Sequence, residues 1–219
     1  MSAFPNSPLL LKGGIVLIDP TTAAIQRIIT LQYNPDTLTR SLQPQSVDPS
    51  VKDRSQALRL KGPAIETFKI DAEIDATDQL EVPQKNPGAT KFGIYPQLAA
   101  LETIVYPTSA QLLAANSLAQ SGTLEIAPME APLTLFVWSK SRVVPVRITD
   151  FSITEEAFDT ALNPIRAKVS LGMRVLSVDD LGFDDKGGNL YMVYQQQKEQ
   201  LASMAQGGSL AALGIGGIS

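Results

Sequence analysis

The 219-residue chain contains no cysteine and no histidine. Without cysteine it has no disulfide framework, no thiol nucleophile and no zinc-thiolate site. Without histidine it lacks the commonest general base and the commonest neutral metal ligand. Most familiar catalytic constellations are excluded at this step, and neither an enzymatic activity nor a cofactor is expected. Positive charge is also scarce: 18 Lys and Arg stand against 22 Asp and Glu, a net charge of -4. The chain as a whole offers no attraction to a phosphate backbone, so nucleic acid is not an expected partner. No apolar run approaches the roughly 20 residues that a spanning helix needs, and direct membrane insertion is not expected. The Leu9-Leu10-Leu11 run has no basic segment before it and no small-residue cleavage site after it. It does not read as a secretory signal, and the expectation is synthesis and folding in the cytoplasm. What is present is a globular balance, 44% hydrophobic and 18% charged residues, in a length that can bury a core without staples.

Strand signals dominate the pattern. Ile15 to Ile18 reads as a strand stopped by the Asp19-Pro20 turn signal, and Ile25 to Tyr33 as a second that pairs with it in a hairpin, with Ile25, Ile29, Leu31 and Tyr33 on one face. From Leu38 to Ser55 the text turns polar, with Pro44 and Pro49 inside it, and predicts a long mobile excursion. Thr67 to Ala76 alternates cleanly, Phe68, Ile70, Ala72, Ile74 and Ala76 on one face and Lys69, Asp71, Glu73 and Asp75 on the other. Pro83, Pro87, Gly88, Gly93 and Pro96 mark a loop. Helical spacing then predicts one helix between Pro96 and Pro107 and another over Ala110 to Gln120.

In the second half, Leu133 to Trp138 and Val143 to Thr149 suit a hairpin about Ser139-Lys140-Ser141. Phe151 to Phe158 leads to a turn at Asn163-Pro164. The longest alternation follows, with Ile165, Ala167, Val169, Leu171, Met173 and Val175 facing one way and Arg166, Lys168, Ser170, Gly172 and Arg174 the other. An antiparallel sheet with one face in a core and one basic face is the economical explanation. After Asp179-Asp180 and Asp184-Asp185, residues Leu190 to Gln206 read as helical. Gly207 to Ser219 is a low-complexity apolar end whose Leu210, Leu213, Ile215 and Ile218 suggest ordering by a partner.

Motifs that carry chemistry are thin. Asp71-x-Glu73-x-Asp75 has the opening spacing of a calcium loop, but Ala76 stands where the bend needs glycine and Val82 where a bidentate Glu should be, so the strand reading prevails. Gly88-x-x-x-x-Gly93 lacks the Lys of a phosphate-binding loop. Glu155-Glu156 and the aspartates near residue 180 are carboxylate pairs of the kind a His-free hydrolase would use. Adjacent strand residues face opposite ways, however, and the aspartates sit in a Gly-flanked turn. Trp138, the only tryptophan, reads as core rather than as the stacking platform of a carbohydrate-binding sandwich. Charge is segregated: residues 1–65 carry seven bases and four acids, residues 66–81 one base and six acids. Such faces either guide subunits into register or are unrelated solvent faces.

Five blocks in order then carry a resemblance: Leu31-Gln32-Tyr33-Asn34-Pro35-Asp36-Thr37-Leu38-Thr39-Arg40; Leu60-Lys61-Gly62-Pro63 leading to Asp71-Ala72-Glu73-Ile74-Asp75-Ala76-Thr77-Asp78; Leu98-Ala99-Ala100-Leu101-Glu102; Leu133-Thr134-Leu135-Phe136-Val137-Trp138; and Arg147-Ile148-Thr149 through Glu155-Glu156-Ala157-Phe158-Asp159 to Leu162-Asn163-Pro164-Ile165-Arg166-Ala167. Over about residues 12–178 the chain resembles the tube-like baseplate proteins of contractile injection systems. The resemblance implies a phage tail-tube fold: a mainly β sandwich or barrel with one or two short helices, six copies closing into a ring. It also implies a role as tube initiator or adaptor between the sixfold inner tube and the trimeric spike. The partners it implies are further copies of the chain, the inner-tube protein, the spike and other baseplate components. Many members add a LysM-like module; here a helical, Gly-rich extension over 179–219 follows a single β domain over 1–178 instead. The contact residues expected are Tyr33, Asn34, Pro35 and Arg40 of the first block, with Asp71, Glu73 and Asp75, or Arg166, Lys168 and Arg174, at the lumen or the ring-to-ring contact. No catalytic or metal residue is expected. The polymerising inner-tube protein is the alternative.

Overall fold

The computed structural model describes residues 10–46, 59–122, 131–205 and 207–217. Among them, seven strands form one antiparallel sheet in the order β2-β1-β5-β6-β7-β4-β3. They are β1 (Gly14–Ile18), β2 (Ile25–Thr30), β3 (Leu38–Gln43), β4 (Ile65–Asp75), β5 (Leu133–Ser139), β6 (Arg142–Phe158) and β7 (Pro164–Val175). The mainly β expectation holds. The helices are α1 (Thr77–Leu80), α2 (Pro87–Phe92), α3 (Tyr95–Glu102), α4 (Ser109–Gln120), α5 (Val178–Leu181) and α6 (Lys186–Ser203).

Alternation decides the core. In β4, Phe68, Ile70, Ala72 and Ile74 are buried; in β7, Ala167, Val169, Leu171, Met173 and Val175 are. The two strands pair from Thr67↔Arg174 to Asp75↔Arg166. Phe136, Val144 and Val146 complete the wall, and Ile94, Leu98 and Leu101 of the α3 region close it. Each fully buried side chain of this size contributes roughly 1.5–3 kcal/mol. Trp138 is partly buried, its ring 5.8 Å from that of Phe136. On the opposite face of β5, Leu133 and Leu135 join Ile18 in a smaller cluster with Leu181 and Leu190.

The chain passes from β2 at one sheet edge to β3 at the other through residues 31–37 alone. The sheet therefore curls around its core until the edges approach. Gln32, just past β2, seals this approach with its side chain: its amide donates to the Asp75 carbonyl (2.6 Å) and accepts from the Asp75 N–H (3.0 Å). A side chain here imitates a strand partner.

Four expectations change. The polar stretch from Leu38 does not begin as an excursion, because Leu38–Gln43 is β3, paired with Ile65–Ile70. It reads as loop because an edge strand of a curled sheet keeps almost no apolar face, and only Leu38 of the six is even half-buried. The remainder of the predicted excursion, 47–58, lies outside the described residues. The region marked as loop by its prolines holds a 3-10 turn at Pro83–Lys85 and helix α2, with Pro83 and Pro87 in the first helical positions, where a missing N–H costs nothing. The two strands expected on either side of Thr149 are one 17-residue strand, β6, with its register shifting between Ile148 and Asp150. Gly172 sits opposite this shift, where an added Cβ would approach Asp150 Cβ to 2.9 Å. The Gly-flanked turn expected around Asp179 to Asp185 contains helix α5 and the N-cap of α6.

Helix α6 is not peripheral. Tyr191 and Tyr194 belong to the main core, 5% and 2% exposed.

Candidate functional site

The sheet order makes β4 and β7 neighbours, so the acidic face of one and the basic face of the other are rows of the same surface. Asp75 lies opposite Arg166 and pairs with it at 3.2 Å. Partial burial pushes the Asp75 carboxyl up, but hydrogen bonds from Thr77 and the Arg166 guanidinium outweigh it and hold the group below the usual carboxylate range. Lys168 lies opposite Glu73 in β4 and Thr154 in β6, and its ammonium pairs with Glu156 at 3.0 Å. Arg174 reaches Asp180 at 3.0 Å, and Asp180 also caps α5. The three basic residues are thus brought onto one row, each with a carboxylate of its own chain. Asp71 and Glu73 stay exposed, with no ion pair among the described residues.

The first-block residues sit elsewhere. Asn34 accepts from the Gly13 N–H (2.9 Å) and donates to the Leu11 carbonyl (2.8 Å), clipping the chain that leads into β1. Tyr33 is 48% exposed, and its hydroxyl accepts from the Gln32 amide. Pro35 lies in the connection to β3. Arg40 projects from β3 to within 3.7 Å of Glu66.

Glu66 is the residue the pattern missed. It is 3% exposed, accepts from the Tyr194 hydroxyl (2.7 Å) and takes an ion pair from Lys198 (3.3 Å), whose ammonium also stands 4.3 Å from the Tyr194 ring centroid. Burial first, then the adjacent Glu66 carboxylate, pushes the Tyr194 hydroxyl up to about 12. The signal was available: Glu66 has the parity of Phe68 and Ile70, and one step back along the alternation places it on the core face.

The β6–β7 turn carries the Leu162-Asn163-Pro164 block. Asn163 binds Asp159 through its side chain and its N–H and, with Pro164, ties the turn to α2 and α3: its amide donates to the Lys91 carbonyl, and the Ile94 N–H donates to the Pro164 carbonyl. Gly93 lies against Pro164 with φ +58°, a conformation and a closeness that only glycine allows there. Beside it, Phe158 and Leu162 are 50% and 74% exposed, Leu162 at φ +64°.

No group of three or more acidic side chains that could hold a metal ion occurs among the described residues. The carboxylate pairs weighed as a hydrolase site do not converge: Glu156 is paired with Lys168 and Asp180 with Arg174.

Among the described residues, neither edge strand of the sheet has a further strand partner. β2 carries Ile25 and Ile28 at 63% and 60% exposure, and β3 carries Leu42 at 51%. Between β2 and the part of β4 that extends past β3 lies a cleft of about 350 Å³, walled by Arg27 to Gln32 and Ala72 to Ile74 and bordered by α3.

No protein-family model and no curated protein matches the chain. Solved structures similar to it include a chain from the virion of a native gene transfer agent particle, 13% identical, covering 74% of this chain and 90% of that one with a TM-score of 0.27. A chain from the tail of an empty gene transfer agent particle with C6 symmetry is 16% identical, covering 75% and 90% with a TM-score of 0.27.

Proposed function

We propose that this chain is a structural subunit of a phage-tail-like contractile injection particle, assembled in the cytoplasm as an adaptor between the sixfold inner tube and the trimeric spike. The observation that carries the proposal is the pair of open sheet edges. A seven-stranded antiparallel sheet whose two edge strands expose both backbone and large apolar side chains is continued by a neighbour or aggregates. A head-to-tail repeat of that edge contact closes into a ring when the rotation divides the circle. The sequence blocks resembling tube-like baseplate proteins support the same reading, since two of them form the Asn34 clip and the Asn163 turn that hold the sheet's connections. A hydrolase reading finds no support in the candidate carboxylate pairs, since Glu156 is paired with Lys168 and Asp180 with Arg174.

The test is native mass spectrometry of the purified protein, alone and with a trimeric spike protein, followed by electron microscopy of intact particles. Sixfold rings that bind the spike, and density at the base of the tube, are the expected results. Open-ended filaments of the protein alone would replace the adaptor by the inner-tube subunit. A strict monomer with no partner in the particle would end both.

A further inference from the structure

The cleft between β2 and β4 is walled by backbone as well as side chains. The Leu31 N–H donates to Gly13 in the β1 direction, so the alternation of an antiparallel ladder turns the N–H and C=O groups of Ile28 and Thr30 away from β1, into the cleft. On the far wall, the Asp75 N–H leaves β7 to reach Gln32, while the Ala76 N–H returns to Ile165. Glu73 shares the parity of Asp75, and its backbone groups face the cleft where β3, which ends its pairing at Ile70, no longer covers them. Two strand edges thus confront one another across about 350 Å³. Its side-chain lining is mostly apolar, with Arg27 and Glu73 the charged members.

Such a site takes an extended, uncharged segment with apolar side chains, because only an extended backbone can serve both edges. The chain carries a segment of this chemistry. After Glu199 the sequence has no charged residue, and residues 207–217 are all exposed. In that segment Leu213 and Ile215 stand two positions apart about Gly214, 75% and 42% exposed; Leu210–Leu213 is a single 3-10 turn capped by Ser209, which has to unwind for the segment to extend. Helix α4 is also uncharged and mostly exposed, but it is a 12-residue helix closed by a capping box at Thr108, about three turns to unwind where the tail has one. The segment does not fill its own groove: both are described here, the segment outside and the cleft open.

We propose that Leu210–Ile215 of a second copy enters this cleft as an added strand, bonding Ile28 and Thr30 on one side and Glu73 on the other and closing the sheet. The choice of a second copy as donor rests on reading the chain as an assembling subunit; the cleft and its chemistry do not.

The absence of native cysteine makes the test clean. Full-length Glu73→Cys and Leu213→Cys variants are mixed under mild oxidation, with Glu73→Cys and Leu113→Cys, on exposed α4, as the control pair. The expected result is a mixed disulfide dimer formed at least tenfold faster than the control. Amide exchange at Ile28, Thr30 and Glu73 should also be at least tenfold slower in the assembled wild type than in Leu213→Asp/Ile215→Asp. A cross-linking rate equal to the control overturns the proposal, as does closure within one chain in the Glu73→Cys/Leu213→Cys double variant. Rings that form normally from Leu213→Asp/Ile215→Asp with unchanged exchange would sink this inference while leaving the ring reading intact. Strand insertion without any ring would do the reverse.

Discussion

At the scale of single residues, Glu66 is the most consequential side chain. A carboxylate 3% exposed is tolerated only because Tyr194, Lys198 and Arg40 converge on it. Glu66→Ala leaves a buried hydroxyl and two cations without their acceptor and should cost about 2–3 kcal/mol, read from urea unfolding at pH 7. Tyr194→Phe should cost less, about 1–2 kcal/mol, since the carboxylate keeps Lys198. The same residue sets an alkaline limit. With the Tyr194 hydroxyl raised from 10.0 to about 12, the folded and unfolded chains are both protonated there below pH 10, and its contribution is fully present. Between about pH 10 and 12 the unfolded chain releases this proton first, so stability falls with pH, by roughly 2–3 kcal/mol in all. Thermal unfolding of wild type and Tyr194→Phe at pH 9 to 11.5 checks this: the variant should lose the part of the alkaline decline that belongs to this hydroxyl, and identical declines would contradict it. Tyr194 lies 128 positions from Glu66, a separation at which sequence spacing carries no information about contact.

Among elements, those with a strong period were legible in the sequence and those with a weak one were not. β4 and β7 announce themselves because each has one face in the core, and their alternation survives almost unbroken. β3 does not, because an edge strand exposed on both faces carries no periodic signal. The charged faces of β4 and β7 were visible, but their adjacency was not. Sheet order, set by packing and by the return of the chain past β5 and β6, places them side by side and turns segregation along the sequence into pairing across a ladder. Asn34 likewise stands out in its motif, while its partners, Leu11 and Gly13, are more than twenty positions away. Asn34→Ala removes two hydrogen bonds that hold the approach to β1. It should cost about 1–3 kcal/mol and speed amide exchange at Gly13 to Ile15 before the rest of the sheet. Helix α6 is the opposite case, legible as a helix but not as part of the core. Truncation after Val178 removes Tyr191 and Tyr194 from the main cluster, and with them the partners of Glu66 other than Arg40. Circular dichroism of the truncated chain should show loss of cooperative unfolding, whereas removal of 207–219 alone, all exposed where described, should leave the unfolding midpoint of the unassembled subunit unchanged.

For the whole molecule, the open edges pose a physical problem that the described residues do not solve. Soluble sheets blunt their edges with Lys, Pro or bulges. The exposed positions here include Ile25 and Ile28 on β2 and Leu42 on β3, with Arg27 turned to α3, where it donates to Thr103 and the Ala100 carbonyl. Leaving these side chains in water gains nothing for the isolated subunit. It is explained if each edge is covered by a neighbouring subunit on assembly. Assembly and folding are separable at these edges. Ile25→Lys and Leu42→Lys each place a charge on an exposed edge that makes no core contact, so the unfolding free energy of the subunit should stay within about 0.5 kcal/mol of wild type. Assembly should be blocked, because an inserted ammonium must be desolvated between two strands. Size measurements at matched concentrations would then give a monomer of unchanged stability for either variant. Mixing the two should not restore closed rings, since a ring of alternating subunits still contains every damaged edge. A variant that lost stability in step with assembly would place these residues in the core of the subunit instead of at its borders.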